Sequence, residues 1–426
     1  MHSELCACCH NVEDGQKGKQ DAQIIFWKVP NNSESSARYV CVFYGCNKMT
    51  EAYITRISSF LPNEPVSTDD MEDYLGLING QPSKTRKIVL RNNGIKTRYY
   101  ALDKSGNSTH SNAEIAASSI RKLFDDNFRV SDMELLSCGT SSPDQLLPSH
   151  ATMVHGKLGG RPIETMAAGG ACNAGMSALK YGYLSVISGD TNNAVCVGSE
   201  KLSSWLSAKN FEEEANKINA LNKKPFIAFE KDFLRWMLSD GAGSVLIENK
   251  PAEGRISLKI EWIAIRSYAN EVETCMYAGA EKDNGGELIP WRDVDSHERK
   301  NRSVFSLKQD IKLLEENILK YGVRSLAEIK DEYDFRIEEI DYFLVHLSSM
   351  FFKDKTMDAF SRKGMHIPIE KWFLNLPAVG NIGSASVYVM LEELFNSGVL
   401  RKGQKILLMV PESARFSYAL SWLTVT

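Results

Sequence analysis

The stretch from Gly169 to Gly189, GGACNAGMSALKYGYLSVISG, reads as a glycine-rich turn followed by a helix with apolar residues on nearly every side. A helix without a polar face implies burial all round, so the chain must place it inside the molecule. It stands between two short strands, Asp132–Cys138 and Ala194–Gly198. The same alternation runs through the rest of the chain after Met49. Tyr53–Phe60 reads as a strand ended by Pro62, and Thr68–Leu77 as a helix with Thr68 at its N-cap. Ala113–Phe124 reads as an amphipathic helix, and Ser239–Asn249 as a glycine turn into a buried strand. A second series begins near Arg255, with the strand ISLKIEWIAI and the helix SLKQDIKLLEENILKYG. The strand DYFLVHLS, a helix from about Phe352 to Lys363, the helix SASVYVMLEELFNSG and the strands KILLMV and YALSWLTV complete it. Alternating strands and helices predict largely parallel, buried sheets covered by helices. Both series share an order of elements, which suggests a duplicated unit without a residue-level repeat.

At 426 residues the chain has room for one large or two medium domains. Its net charge of −4 gives no reason to expect nucleic acid or an anionic membrane as a partner. No apolar run reaches the length of a membrane span, and the first residues lack a signal pattern. Five of the nine cysteines lie within the first 46 residues. The body of the chain therefore reads as a reduced, cytoplasmic protein. CACCH, Cys6 to His10, has no second Cys/His pair at a zinc spacing, so no metal is expected. Residues 1–48 read as an appendage outside the fold, with Met49 as a natural start.

Three residues stand out as candidates for chemistry. Cys172 falls at the first turn of the apolar helix, where unpaired N–H groups and the helix dipole favour a thiolate. A nucleophile that accepts an acyl group is one reading, and a small buried core residue is the other. His346 ends an apolar strand, which either aims an imidazole into a cleft or buries a histidine on backbone. Asn381, between Gly380 and Gly383 before a helix, reads on its own as a turn or cap residue. Residues 205–238, with FEEE and PFIAFEKDFLRWML, read as a cap on a pocket, a dimer contact or a surface hairpin.

Taken in order, ITRISSFLP, NNGIKTRYYA, LLPSHATMVHGKLGG, the Cys172 helix, AVCVGSE, SDGAGSVLI, His346 and GNIGSAS resemble the β-ketoacyl synthase III branch of the thiolase-like family over about 375 residues. The resemblance implies two fused βαβαβαββ halves, 49–250 and 251–426, in a five-layered α-β-α-β-α fold, with a homodimer as the usual assembly. It implies a triad of Cys172, His346 and Asn381, acyl thioesters of coenzyme A or an acyl carrier protein as substrates, and no cofactor. The chain departs from the initiating synthases in two places. HLSS replaces the usual HQAN, and VPESARFSYA replaces a glycine loop that lends a backbone N–H to the oxyanion hole. Cys172 and Ser413 are the expected backbone donors here. NNGIKTRYYAL, LLSCGTSSPDQLLPSH and AFEKDFLRWMLSDGAG look like the DarB-type ketosynthases of dialkylresorcinol and flexirubin biosynthesis. That likeness implies joining a 3-oxoacyl thioester to a 2-unsaturated acyl thioester, giving a cyclohexanedione precursor. The alternatives are an initiating synthase that condenses acyl-CoA with malonyl carrier protein, an acyltransferase to oxygen or nitrogen, and an inactive partner subunit. Asn381 and Cys172 argue against the last two. Lys353, Lys355, Arg362 and Lys363 form either a docking patch for an acidic carrier protein or a solvated helix face.

Overall fold

A computed structural model describes residues 23–29, 38–44, 50–83, 85–220 and 229–426. The chain divides into two compact units, Met1–Thr50 and Glu51–Thr426. In the first, Gln23–Val29 pairs antiparallel with Arg38–Tyr44. The CACCH segment lies outside the described residues.

The second unit is built on nine strands: β1 (Tyr53–Phe60), β2 (Leu135–Thr140), β3 (Glu164–Gly169), β4 (Asn193–Glu200), β5 (Gly241–Glu248), β6 (Leu258–Ser267), β7 (Tyr342–Val345), β8 (Lys405–Glu412) and β9 (Ser417–Val425). Their spatial order is β7-β8-β9-β6-β1-β5-β4-β2-β3. The order shows the duplication that residue identities hide. β2–β4 is parallel, and β4–β5 and β5–β1 are antiparallel; β7–β8, β8–β9 and β9–β6 repeat that pattern. The two half-sheets are joined where Leu258 and Lys259 of β6 pair with Ile54 and Tyr53 of β1.

Alternation along the strands sorts side chains into three core layers. Between the two half-sheets lie helices α3 (Ala174–Ser188) and α6 (Ser386–Asn396). Met176 and Leu179 of α3 and Val387 and Leu391 of α6 pack there with Leu135, Val245, Leu344 and Leu408. Neighbouring residues on the same strands face outward. Leu136 and Val195 meet α1 (Asn112–Arg121) and α2 (His150–Leu158). Phe343 and Leu407 meet α4 (Ile311–Tyr333) and α5 (Phe351–Ser361). These are the five layers α-β-α-β-α.

Local chemistry sets several boundaries that differ from expectation. Ser111 and Glu114 form a reciprocal capping box that starts α1. Asp310 accepts from Leu313 N–H at 3.0 Å and starts α4, so Lys308–Gln309 is free to pair with Met276–Tyr277 as a short strand. Thr68 caps nothing: its hydroxyl donates to the carbonyls of Ile95 and Lys96, and the helix runs only over Met71–Leu75 behind Asp70. The apolar helix α3 is not covered on every side, since Tyr181 and Leu184 remain exposed beside the edge strand β3.

α3 and the turn that leads into α6 approach so closely that a Cβ on Gly175 would lie 2.2 Å from the Ser384 carbonyl oxygen. Tyr388 Oη donates to the Gly175 carbonyl at 2.8 Å in the same contact. Gly175→Ala should therefore cost about 1–3 kcal/mol by forcing the central layer apart. Urea unfolding of the variant checks this, and an unchanged midpoint would show that the backbone yields.

Candidate active site

Cys172 lies two residues before α3, whose N-cap is Asn173, and so stands just outside the helix rather than in its first turn. The loop is held by a carboxylate from the other half. Glu412, the last residue of β8, accepts from Ala171 N–H at 3.2 Å and from Asn173 N–H at 3.0 Å through Oε2. Its Oε1 accepts from Ser417 Oγ at 3.1 Å, and Asn173 Nδ2 donates to the same Oγ at 2.8 Å. Burial, with Glu412 and Glu200 adding their negative charge, pushes the Cys172 thiol well above its ordinary range. The expected preference for thiolate is thus reversed. Two N–H groups beside the cysteine already serve Glu412, and its charge opposes a second anion there.

His346 follows β7 directly, and its N–H donates to the Met409 carbonyl of β8 at 2.9 Å. Its side chain is buried, and Nε2 has no partner in the protein. Burial lowers its pKa to about 4, so the imidazole is neutral near pH 7. Asn381 is locked between two backbone bonds, donating to the Met237 carbonyl and accepting from Ser239 N–H at 2.8 Å. Gly383 N–H donates to Asn381 Oδ1 at 2.9 Å. With Oδ1 held, Nδ2 is the donor available to a ligand.

Cys172, His346 and Asn381 line one cavity of about 580 Å³. Its remaining wall is mostly apolar. Of residues 205–238, Trp205, Leu234, Met237 and Leu238 form part of the cavity wall. Trp236 and Arg235 behind it are fully buried, and Lys231 pairs with buried Glu214 at 2.7 Å. Met276, Trp291 and Phe305 close another side.

A profile of the 3-oxoacyl-[acyl-carrier-protein] synthase III C-terminal region matches residues 331–414, which include His346 and Asn381. β-Ketoacyl-[acyl-carrier-protein] synthase III of Chlorobaculum tepidum is 26% identical over 366 residues, 84% of this chain and 95% of that protein. The Clostridium perfringens enzyme of the same name is 23% identical over 364 residues, 85% of this chain and 95% of its own. The chain has a thiolase-like fold and is similar to the β-ketoacyl synthase III enzymes. It is an acyltransferase of the condensing kind. Solved structures agree on the fold. Xanthomonas campestris OleA, crystallised with bound lauric acid and lauroyl-CoA, superposes with a TM-score of 0.66 at 18% identity, over 88% of this chain and 99% of that one. A tetronic acid condensing enzyme superposes equally well, with the same identity and coverage.

In this β-ketoacyl synthase III-like enzyme, Ser413 lines the cavity beside Glu412, and its Oγ accepts from Gln309 Nε2 at 2.9 Å. The four basic residues on or after α5 lie on a surface of mixed charge. Lys353 is 3.4 Å from Asp354, and Lys355 is 3.5 Å from Glu315 with its ammonium over the Phe351 ring. Arg362 and Lys363 are exposed at the helix end. No helix among the described residues is long and apolar enough to cross a membrane. The residue of this cavity that sequence reading passed over is Glu412. Its one signal was a carboxylate at the end of an apolar strand, within the segment already noted as a departure.

Two buried histidines make stability depend on pH. His150 and His346 both titrate near 4, held down by burial. Unfolded histidine titrates near 6.5, so between these values the unfolded chain binds more protons. Their contribution is complete above about pH 6.5 and is lost as pH falls towards 4. Comparing urea midpoints at pH 7 and pH 5, His346→Gln should lose less on acidification than the wild type. An equal loss in both would contradict the assignment.

Proposed function

We propose that this enzyme joins two acyl thioesters by carbon–carbon bond formation through an acyl group carried on Cys172. The observation that carries the reading is the convergence of Cys172, His346 and Asn381 on one apolar cavity. Cys172 attacks the first thioester, and the backbone N–H groups of Cys172 and Ser413 hold the tetrahedral oxyanion. The second thioester enters with its carbonyl oxygen between His346 Nε2 and Asn381 Nδ2. A neutral imidazole and an amide, both donors, stabilise the enolate that forms as its α-carbon becomes a nucleophile. The finer reading takes a 3-oxoacyl thioester as that nucleophile and a 2-unsaturated acyl group on Cys172. One bond forms to the unsaturated β-carbon and a second to the acyl carbon, which releases the cysteine and closes a cyclohexane-1,3-dione carboxylate ring. Oxidation by a separate enzyme would give a dialkylresorcinol.

Incubation with a 2-unsaturated acyl thioester and either a 3-oxoacyl or a malonyl thioester tests this. A cyclic dione mass with the 3-oxoacyl partner alone is expected. A linear 3-oxoacyl product with the malonyl partner would make it an initiating synthase, the activity for which its curated relatives are named.

The reading extends to a cytoplasmic setting, to delivery by an acyl carrier protein docking near Lys353, Lys355, Arg362 and Lys363, and to a homodimer. The edge strand β3 with exposed Tyr181 and Leu184 beside it is a surface that pairing of two copies would cover. Residues 1–48 take no part in the reaction. A chain beginning at Met49 should keep its thermal midpoint and its turnover, and loss of either would assign this segment a structural role.

A further inference from the structure

We propose that Glu412 is the general base that takes the Cys172 thiol proton as the acyl-enzyme forms. The inference rests on Cys172 being the nucleophile. Glu412 lines the same cavity as Cys172, and its carboxylate is bonded to the backbone on both sides of that cysteine, at Ala171 N–H and Asn173 N–H. These two bonds and the one from Ser417 Oγ use three of the roughly four acceptor sites of a carboxylate. The fourth, on Oε1, is free to accept a proton.

A base is needed because the thiol rests protonated among two carboxylates, Glu412 and Glu200. Glu200 is committed elsewhere, to Ser141, Ser142 and the Ser384 N–H. His346, neutral and weakly basic, suits donation better than proton abstraction. In the acylation step, the Cys172 Sγ–acyl carbon bond forms as the Sγ proton moves to Glu412. The tetrahedral intermediate then collapses, the substrate C–S bond breaks, and the departing thiolate takes the proton from Glu412. The carboxylate is regenerated, and no oxidant or reductant is involved.

Two rates on the full chain test the assignment, because the base role moves them in opposite directions. The first is acylation of Cys172 by the octanoyl thioester of N-acetylcysteamine, followed by intact-protein mass. The second is alkylation of Cys172 by iodoacetamide between pH 6 and 10. Glu412→Gln keeps an acceptor for the two N–H groups and removes the charge. It should acylate about 10²–10⁴-fold more slowly. It should alkylate faster than wild type at a given pH, because the thiolate forms more readily. Glu412→Asp should recover part of the acylation rate. A purely structural role would slow both reactions together and lower the thermal midpoint, which would overturn the proposal, as would wild-type acylation in Glu412→Gln. Absence of any wild-type adduct on Cys172 would overturn the nucleophile assignment, and this proposal with it.

Discussion

Cys172→Ala should eliminate product formation, a loss on the order of 10⁶-fold, as when a covalent nucleophile is removed from an enzyme whose groups act as a unit. Among the described cysteines Cys172 alone lines the cavity; Cys138, Cys196 and Cys275 are buried. Burial also raises the thiol pKa of all three, that of Cys275 to about 12. Intact-protein mass spectrometry with an acyl thioester should show one adduct in the wild type and none in the variant. An adduct that survives the substitution, or maps to Cys138 or Cys196, would place the nucleophile elsewhere.

Asn381→Ala should leave acylation near its normal rate and slow condensation by about 10²–10³-fold, the usual cost of one oxyanion donor. The geometry supports this division of labour. Asn381 and His346 both line the cavity from the second half of the chain, and Asn381 Oδ1 is fixed by Gly383 N–H. The variant should therefore accumulate acyl-enzyme and release little condensed product. Single-turnover measurement of each half-reaction decides the matter. If acylation falls as steeply as condensation, Asn381 is a turn residue that holds the site together. Its backbone bonds to Met237 and Ser239 are the structural reason for taking that outcome seriously.

Strand and helix alternation, the buried apolar helix and the Cys…His…Asn order were legible along the chain because each depends on local pattern. Periodicity marked the buried faces, and glycines marked the sharp approaches around Cys172 and Asn381. Errors fell where a distant group outcompeted a local signal. Thr68 has the chemistry of an N-cap, but the carbonyls of Ile95 and Lys96 claim its hydroxyl. Tyr181 and Leu184 have the chemistry of a core, yet the layer that covers the rest of α3 does not reach them. For residues 205–238 a pocket cap, a dimer contact and a surface hairpin stayed open in the sequence, and only packing shows Leu234, Met237 and Leu238 forming part of the cavity wall.

By itself the sequence determined the layered α/β architecture and which three side chains to bring together. Both follow from the order of apolar periods and turn residues, which each segment carries alone. The tertiary structure decided the electrostatics around Cys172. The local rule, a cysteine near a helix N-terminus, predicts a stabilised thiolate. Glu412 stands 240 residues away in the chain, and the packing of β8 against the loop before α3 sets its carboxylate on those same N–H groups. A charge interaction depends on distance in space and on the water excluded around it, and neither is written in the spacing of residues along a chain.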